Sequence, residues 1–279
     1  MTSIYIRFPG FKRKAVTLSY DDGVRQDKRL IEIMKQNGLK GTFNLNGGCF
    51  SSRYEGVEEG RMTVEEAKAL YLPAGMEVAA HGYQHASLAR IDRAMATDDI
   101  LADRKALEGI FGCVIKGMAY ANGSYDDGVV EMLKAVGISY ARTTSATGRF
   151  DLPVDWLRLP TTCHHNDPRL MELAHQFVET ADSSYRWGNA PMLFSLWGHS
   201  YEFDRNDNWG VIEEFCAYIG NREDIYYATN GELYSYLQAA DRLEFGAEGK
   251  LVYNPTATDI YLDFYGKKVI APSGKTVCV

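Results

Sequence analysis

Val16-Thr17-Leu18-Ser19-Tyr20-Asp21-Asp22-Gly23 is an alternating, β-rich run that ends in two carboxylates and a glycine. In a regular strand consecutive side chains point to opposite faces, so both aspartates serve one site only if the strand stops there, and Gly23 marks the stop. About sixty residues later, Met76-Glu77-Val78-Ala79-Ala80 leads in the same way into His81-Gly82-Tyr83-Gln84-His85. One carboxylate and two imidazoles at one end of a sheet make a facial set of metal ligands with open positions, which suits hydrolysis better than a sealed structural site. The expected geometry turns Asp22 in as a ligand. Asp21 then lies close enough to accept a proton from water, its ionised form favoured by the cation.

Two patterns elsewhere sharpen this reading. Asp126-Asp127-Gly128 repeats the acidic pair but runs on into Val129-Val130-Glu131-Met132-Leu133-Lys134, which reads as a helix start; Asp-Asp-Gly alone is an ordinary turn. In the helical zinc-protease signature a glutamate follows the first histidine and serves as base, whereas Gly82 stands there in this chain. The base has to come from elsewhere, and Asp21 is available.

These residues resemble the polysaccharide deacetylases of the NodB-homology class, the family-four carbohydrate esterases. Their first motif is Thr-Phe-Asp-Asp-Gly-like and their second His-(Ser/Thr)-x-x-His; Ser19-Tyr20-Asp21-Asp22-Gly23 and His81-Gly82-Tyr83-Gln84-His85 stand in those places. The resemblance implies Asp21 as general base and Asp22, His81 and His85 as ligands of one divalent metal ion, zinc first, with cobalt or nickel as alternatives. It also implies a histidine, at the end of a late apolar strand, that protonates the leaving amine. Met192-Leu193-Phe194-Ser195-Leu196-Trp197-Gly198-His199 fits, which makes His199 the general acid. The motifs spread over residues 15 to 235, a whole domain.

Two departures from the family pattern matter. Ala119-Tyr120-Ala121-Asn122-Gly123-Ser124-Tyr125 stands where the family has Arg-Pro-Pro-Tyr-Gly, so the arginine that holds the catalytic aspartate is missing. Arg142, at the end of Ile138-Ser139-Tyr140-Ala141-Arg142, is the expected substitute, with an ordinary inter-strand salt bridge as the alternative. Asn122 falls where a backbone N–H helps to hold the oxyanion, a role any non-proline residue can fill. The fourth motif has only a loose counterpart in Asp151-Leu152-Pro153-Val154-Asp155-Trp156. His164 and His165 are read as a rim loop, with contact to sugar or support of another histidine as the alternative. Trp197 is read as the floor of a small acyl pocket or as barrel core.

Working outward, strand-like runs recur at 16–20, 41–45, 76–80, 115–120, 138–142, 157–161, 192–197 and 225–228. Helical patterns lie between them, one opened by the capping box Thr63-Val64-Glu65-Glu66. Alternation of this kind predicts an α/β fold, a (β/α) barrel of parallel strands with its active residues at their carboxyl ends. Spacing leaves seven or eight strands open; the resemblance implies a distorted barrel of seven. Residues 1–243 form the expected barrel domain. Residues 244–279 form a small β appendage, too small for a core of its own and so packed on the barrel or on a partner subunit, which allows a homo-oligomer.

Composition narrows the partners. A formal net charge of −7 and the lack of any basic cluster with interleaved aromatics argue against nucleic acid and anionic membrane surfaces. Cys49, Cys113, Cys163, Cys216 and Cys278 are odd in number and unpaired in spacing, as reduced thiols would be. With no apolar signal core after Met1 and no membrane-length run, a cytoplasmic enzyme is expected. Its expected reaction removes an acyl group, N-acetyl first, from a carbohydrate or oligosaccharide. The alternatives are an amidase acting on a small non-sugar or cyclic amide, metal-free in some relatives, and a silent carbohydrate-binding module.

Overall fold

The computed structural model describes residues 4–53, 60–182 and 189–279. After β1 (Ile4–Arg7) the chain enters β2 (Lys14–Asp21), in which all eight residues are buried. Next come β3 (Gly41–Leu45), β4 (Glu77–Ala80), β5 (Gly117–Ala119), β6 (Tyr140–Ala146) and β7 (Leu159–Thr161), each parallel to the strand before it. β8 (Cys163–His164) pairs with β9 (Met192–Gly198), and β9 returns to β2, with Lys14 opposite Met192 and Tyr20 opposite Gly198.

β7 and β8 are one extended run interrupted at Thr162, whose N–H donates to Ser195 O at 2.8 Å. That run leaves β6 on one side and joins β9 on the other, so the parallel sheet closes as a distorted ring of seven. The eighth strand, β10 (Ile225–Tyr227), pairs with Lys14 to Val16 on the β2 edge that β3 takes over from Leu18 onward. The alternatives of seven and eight both describe part of the molecule.

Helices α1 (Asp27–Gln36), α2 (Val64–Leu70), α3 (Arg93–Phe111), α4 (Asp127–Ala135), α5 (Leu170–Glu179), α6 (Tyr201–Arg205), α7 (Trp209–Ile219) and α8 (Asn230–Asp241) cover the outside. The Thr63 capping box is present, and Thr229 with Glu232 forms a second at the start of α8. α3 begins at Arg93, where the Asp92 carboxylate caps Ala94 N–H.

The alternation in β2 sorts its neighbours. Val16, Leu18 and Tyr20 join the main apolar core with Leu30, Phe43, Phe194 and Phe215. Thr17, Ser19 and Asp21 face the barrel axis, where the contacts are polar. Thr17 Oγ1 donates to Asn230 Oδ1 at 3.0 Å, and Asn44 Nδ2 donates to Ser19 Oγ at 2.9 Å. Near the amino ends of the strands, Glu77 accepts from Thr42 Oγ1, Tyr140 Oη and Gly231 N, each at 2.8 Å. The first turn of α8 thus plugs that end of the ring.

The last five strands are β11 (Glu244–Phe245), β12 (Leu251–Tyr253), β13 (Ile260–Phe264), β14 (Lys267–Ala271) and β15 (Thr276–Cys278). They form two small antiparallel sheets, β11-β12-β15 and β1-β13-β14. A division at residue 243 assigns Ile4–Arg7 to the barrel, but β1 pairs with β13, Ile4 opposite Phe264. The isolated four-residue strand is too short to announce its partner in the sequence. Phe8, Ala15, Leu193, Leu233, Tyr236, Val252, Ile260 and Leu262 share one apolar cluster, so the appendage packs on the barrel through α8. Among the described residues no helix is long and apolar enough to cross a membrane, and all five cysteines are free.

Candidate metal centre

β2 ends at Asp21, and Asp22 follows with φ +82°, a left-handed conformation that is costly for a residue with a Cβ. The reversal brings both carboxylates to the mouth of the ring. Asp22 is 1% exposed and His81 1%, while His85 keeps part of its edge in solvent. His85 Nε2 lies 3.5 Å from Asp22 Oδ1, and His81 Nε2 lies 3.9 Å from the same oxygen. These separations exceed hydrogen bonds and match ligands that each stand about 2.0–2.2 Å from a shared ion.

The tautomers fit as well. His81 Nδ1 donates to Ala119 O at 2.9 Å, which leaves the Nε2 lone pair facing Asp22. Burial and the neighbouring His81 hold His85 down to about 4, so it is neutral near pH 7, as a ligand must be. The donor set therefore fits a divalent ion.

Asp21 is 2% exposed and sits beside this group. Arg142 Nη2 donates to both of its oxygens, and Asn44 Nδ2 donates to Oδ1 at 2.8 Å. Burial alone would raise the carboxyl; Arg142, then His81 and His199, outweigh it and bring Asp21 down to about 2. Arg142 is itself fully buried, its guanidinium carbon 4.6 Å from the Trp197 ring centre. Its Nε and Nη1 have no hydrogen-bond partner among the described residues, so the indole face is what receives that side of the cation.

His199 comes from the turn after β9. Its Nε2 lies 3.9 Å from an oxygen of each aspartate, and its Nδ1 lies 3.2 Å from Glu202 Oε1. Burial works against protonation of His199; the Glu202 hydrogen bond and the two aspartates overcome it and raise its pKa. Glu202 is also approached by His164 Nε2 at 3.3 Å and His165 Nε2 at 2.9 Å, and its own acidity is increased despite burial.

His164, His165 and Glu202 are a second trio within reach of one ion. Hydrogen bonding argues otherwise: Asn166 N–H donates to His164 Nδ1 at 3.1 Å, which places the His164 proton on Nε2, toward Glu202. Glu202 is better described as the hydrogen-bond acceptor of His199, with the His164 and His165 imidazoles beside it. His165 is 0% exposed, and a Cβ on Gly198 would fall 2.1 Å from its Nδ1. A rim loop does not describe this residue; it is packed under β9 and supports Glu202.

The sequence-derived set thus converges for Asp21, Asp22, His81, His85, Arg142, His199 and Trp197. Asn122 stands apart: it is exposed at φ +56°, with Nδ2 donating to Ser87 Oγ at 3.0 Å. Three contributors were not foreseen. Asn44 lies opposite Asp21 in the β3 register. Arg61 Nε donates to Asp22 O at 3.0 Å from a distant loop. Glu202 lies in α6, which places it one turn after His199. An asparagine inside the apolar run Thr42-Phe43-Asn44-Leu45 was a usable signal; the other two had none. Of the loop 47–60, residues 54–59 lie outside the described residues.

Residues 9–141 match the sequence profile of the family Polysaccharide deacetylase. A chitin deacetylase from Pestalotiopsis sp is 32% identical over 99 residues, which are 35% of this chain and 30% of that protein. Among solved structures, a Mycobacterium smegmatis protein classed provisionally as a polysaccharide deacetylase superposes with a TM-score of 0.59 at 16% identity, over 86% of this chain and 96% of that one. The allantoinase PuuE gives 0.60 at 15%, over 82% and 91%. A mutant of a Bacillus anthracis CE4 family pseudoenzyme, with restored enzymatic activity, gives 0.50 at 18%, over 82% and 70%. At these identities the structural matches speak for the fold.

Proposed function

We propose that the chain, whose residues 9–141 match the polysaccharide deacetylase family, is a metal-dependent hydrolase that removes an acyl group, N-acetyl first, from a carbohydrate or oligosaccharide. The observation that carries this reading is the position of Asp21 between Arg142 and the group Asp22, His81 and His85. A binding module has no use for a buried carboxylate clamped in its ionised form beside three metal-ligating side chains.

Asp22, His81 and His85 would hold the ion, zinc first, with cobalt or nickel as alternatives. When bound, such an ion supplies Lewis-acid polarisation of the acyl carbonyl and makes water ionisable near neutral pH. Asp21 takes the proton of the attacking water as its oxygen bonds to the acyl carbon. Arg142 keeps Asp21 oriented and unprotonated until that moment. As the carbon–nitrogen bond breaks, His199 Nε2 gives its proton to the departing amine, while Glu202 holds the other side of the ring. The products are a carboxylic acid and the free amine. Trp197, which packs against Arg142, is assigned to the wall beside the acyl group; Asn122, which stands apart from the group, is given no part in holding the oxyanion.

The test is elemental analysis of the purified protein beside His81→Ala and His85→Ala, followed by acetate release from acetylated sugars. About one divalent ion per chain, lost in both variants, with acetate released only by the parent, is the expected result. Sugar binding without acetate release in metal-replete protein would replace the hydrolase with the binding reading.

A further inference from the structure

α3 buries Ala96, Ile100, Asp103 and Leu107 along one stripe, so a carboxylate occupies a position where the helix pattern calls for an apolar side chain. Asp103 is 0% exposed. Its Oδ1 accepts Gly47 N–H at 2.6 Å and its Oδ2 accepts His81 N–H at 2.9 Å. One turn earlier, Asp99 Oδ2 accepts Tyr83 N–H at 3.0 Å and Oδ1 accepts Gln84 N–H at 3.1 Å. From the other side, Asn46 Nδ2 donates to His81 O at 2.9 Å and to Gly82 O at 2.7 Å.

Two carboxylates on one helix face therefore hold the backbone of the segment between His81 and His85. The fit leaves no slack at Gly82, which has φ +82° and where a Cβ would fall 2.9 Å from Asp99 Oδ2. A four-residue spacing in a non-helical loop does not by itself bring two imidazoles to one point; the amide contacts with α3 do. We propose that Asp99 and Asp103 are positioning residues that fix the separation of His81 and His85 and thereby set the affinity of the site for its divalent ion. The proposal rests on the reading of Asp22, His81 and His85 as ligands.

The experiment compares the full chain with Asp99→Asn, Asp103→Asn and, as a control for simple loss of stability, Leu107→Ala, a buried residue of the same helix. Zinc affinity is read by competition with a chromophoric chelator. Amide hydrogen exchange at Gly47, His81, Tyr83 and Gln84 is read in metal-free protein. Both Asn variants should bind zinc about 10–100-fold more weakly and exchange those amides faster, while Leu107→Ala lowers the melting temperature and leaves affinity unchanged. Asp99 is only partly buried, so its variant carries the test if Asp103→Asn fails to fold. Zinc affinity equal to the parent in the Asn variants, or an equal loss in Leu107→Ala, overturns the proposal. A parent that takes no zinc instead fails the ligand reading itself; unchanged amide exchange in the variants then overturns the positioning role as well.

Discussion

Two carboxylates lie inside the same barrel and behave in opposite ways. Glu77, near the amino ends of the strands, accepts from neutral donors, among them the hydroxyls of Thr42 and Tyr140 and the N–H of Gly231. Burial there wins and its pKa rises. Asp21, near the carboxyl ends, is the more deeply buried of the two but meets the Arg142 guanidinium, and falls to about 2. The depth of a group inside the ring does not decide its charge; the charge of its partner does. One end of the ring is a hydrogen-bonded plug and the other holds an ionised carboxylate.

The largest break in this contrast comes from Asp21→Asn. It keeps the shape and removes the proton acceptor, so turnover should drop by about 10²–10⁴ with the metal content unchanged; near-parent turnover would show that another group is the base. Arg142→Met should turn Asp21 toward the behaviour of Glu77. The acid limb of the pH–rate profile then moves to higher pH, and an uncompensated buried charge costs about 3–5 kcal/mol in denaturant unfolding. An unmoved acid limb would mean that Arg142 does not set the charge of Asp21.

Glu77→Gln sharpens the comparison from the other end. Its amide cannot accept from all three donors, so stability should fall by about 1–3 kcal/mol while kcat stays at the parent value. A fall in kcat with full stability would tie the plug to the chemistry.

The smallest effect is on pH dependence. Burial holds Asp27 up at about 7 despite hydrogen bonds from Ser200 and Tyr71, the latter at 2.6 Å. Its folded pKa lies above the unfolded value, so in that range the folded chain binds the extra proton. Stability from this group is full below about pH 4 and declines as pH rises toward about 7. Asp21 has the reverse sign: its contribution is present above about pH 4 and disappears as pH falls toward about 2. Asp27→Asn should flatten the slope between about pH 4 and 7 in urea titrations at fixed metal content. An identical slope in that variant would assign the effect elsewhere, for example to Asp103, which burial raises in the same direction.

The outer face of the barrel was readable because strand alternation and helix stripes are local signals; runs such as Gly41–Leu45 and Met192–Gly198 fall within a residue of expectation. The candidate metal-ligating group was readable because Asp22 and His81 each follow a strand directly and His85 stands four residues after His81. The supports were not. Glu202 approaches His165 across 37 positions and Asp103 accepts from Gly47 across 56, and no periodicity reports a contact between distant segments. Arg142 was within reach of inference because a missing arginine in one strand posed the question and the next strand supplied a candidate. β1 was missed for a related reason: a lone four-residue strand finds its partner only after the whole chain has folded.

The interruption at Thr162 has a consequence for how the chain becomes competent. The run Leu159–His164 is the seam of the ring, and two and three residues after Thr162 the chain brings His164 and His165 beside Glu202. Closing the cylinder and bracing the His199 imidazole are therefore one event, dependent on contacts that are distant in sequence and slow to form. An ajar seam leaves a molecule with most of its helices, an intact outer core and an unsteadied His199. Turnover measured during refolding should rise after the far-ultraviolet signal has recovered, and so act as a clock for the last stitch of the barrel.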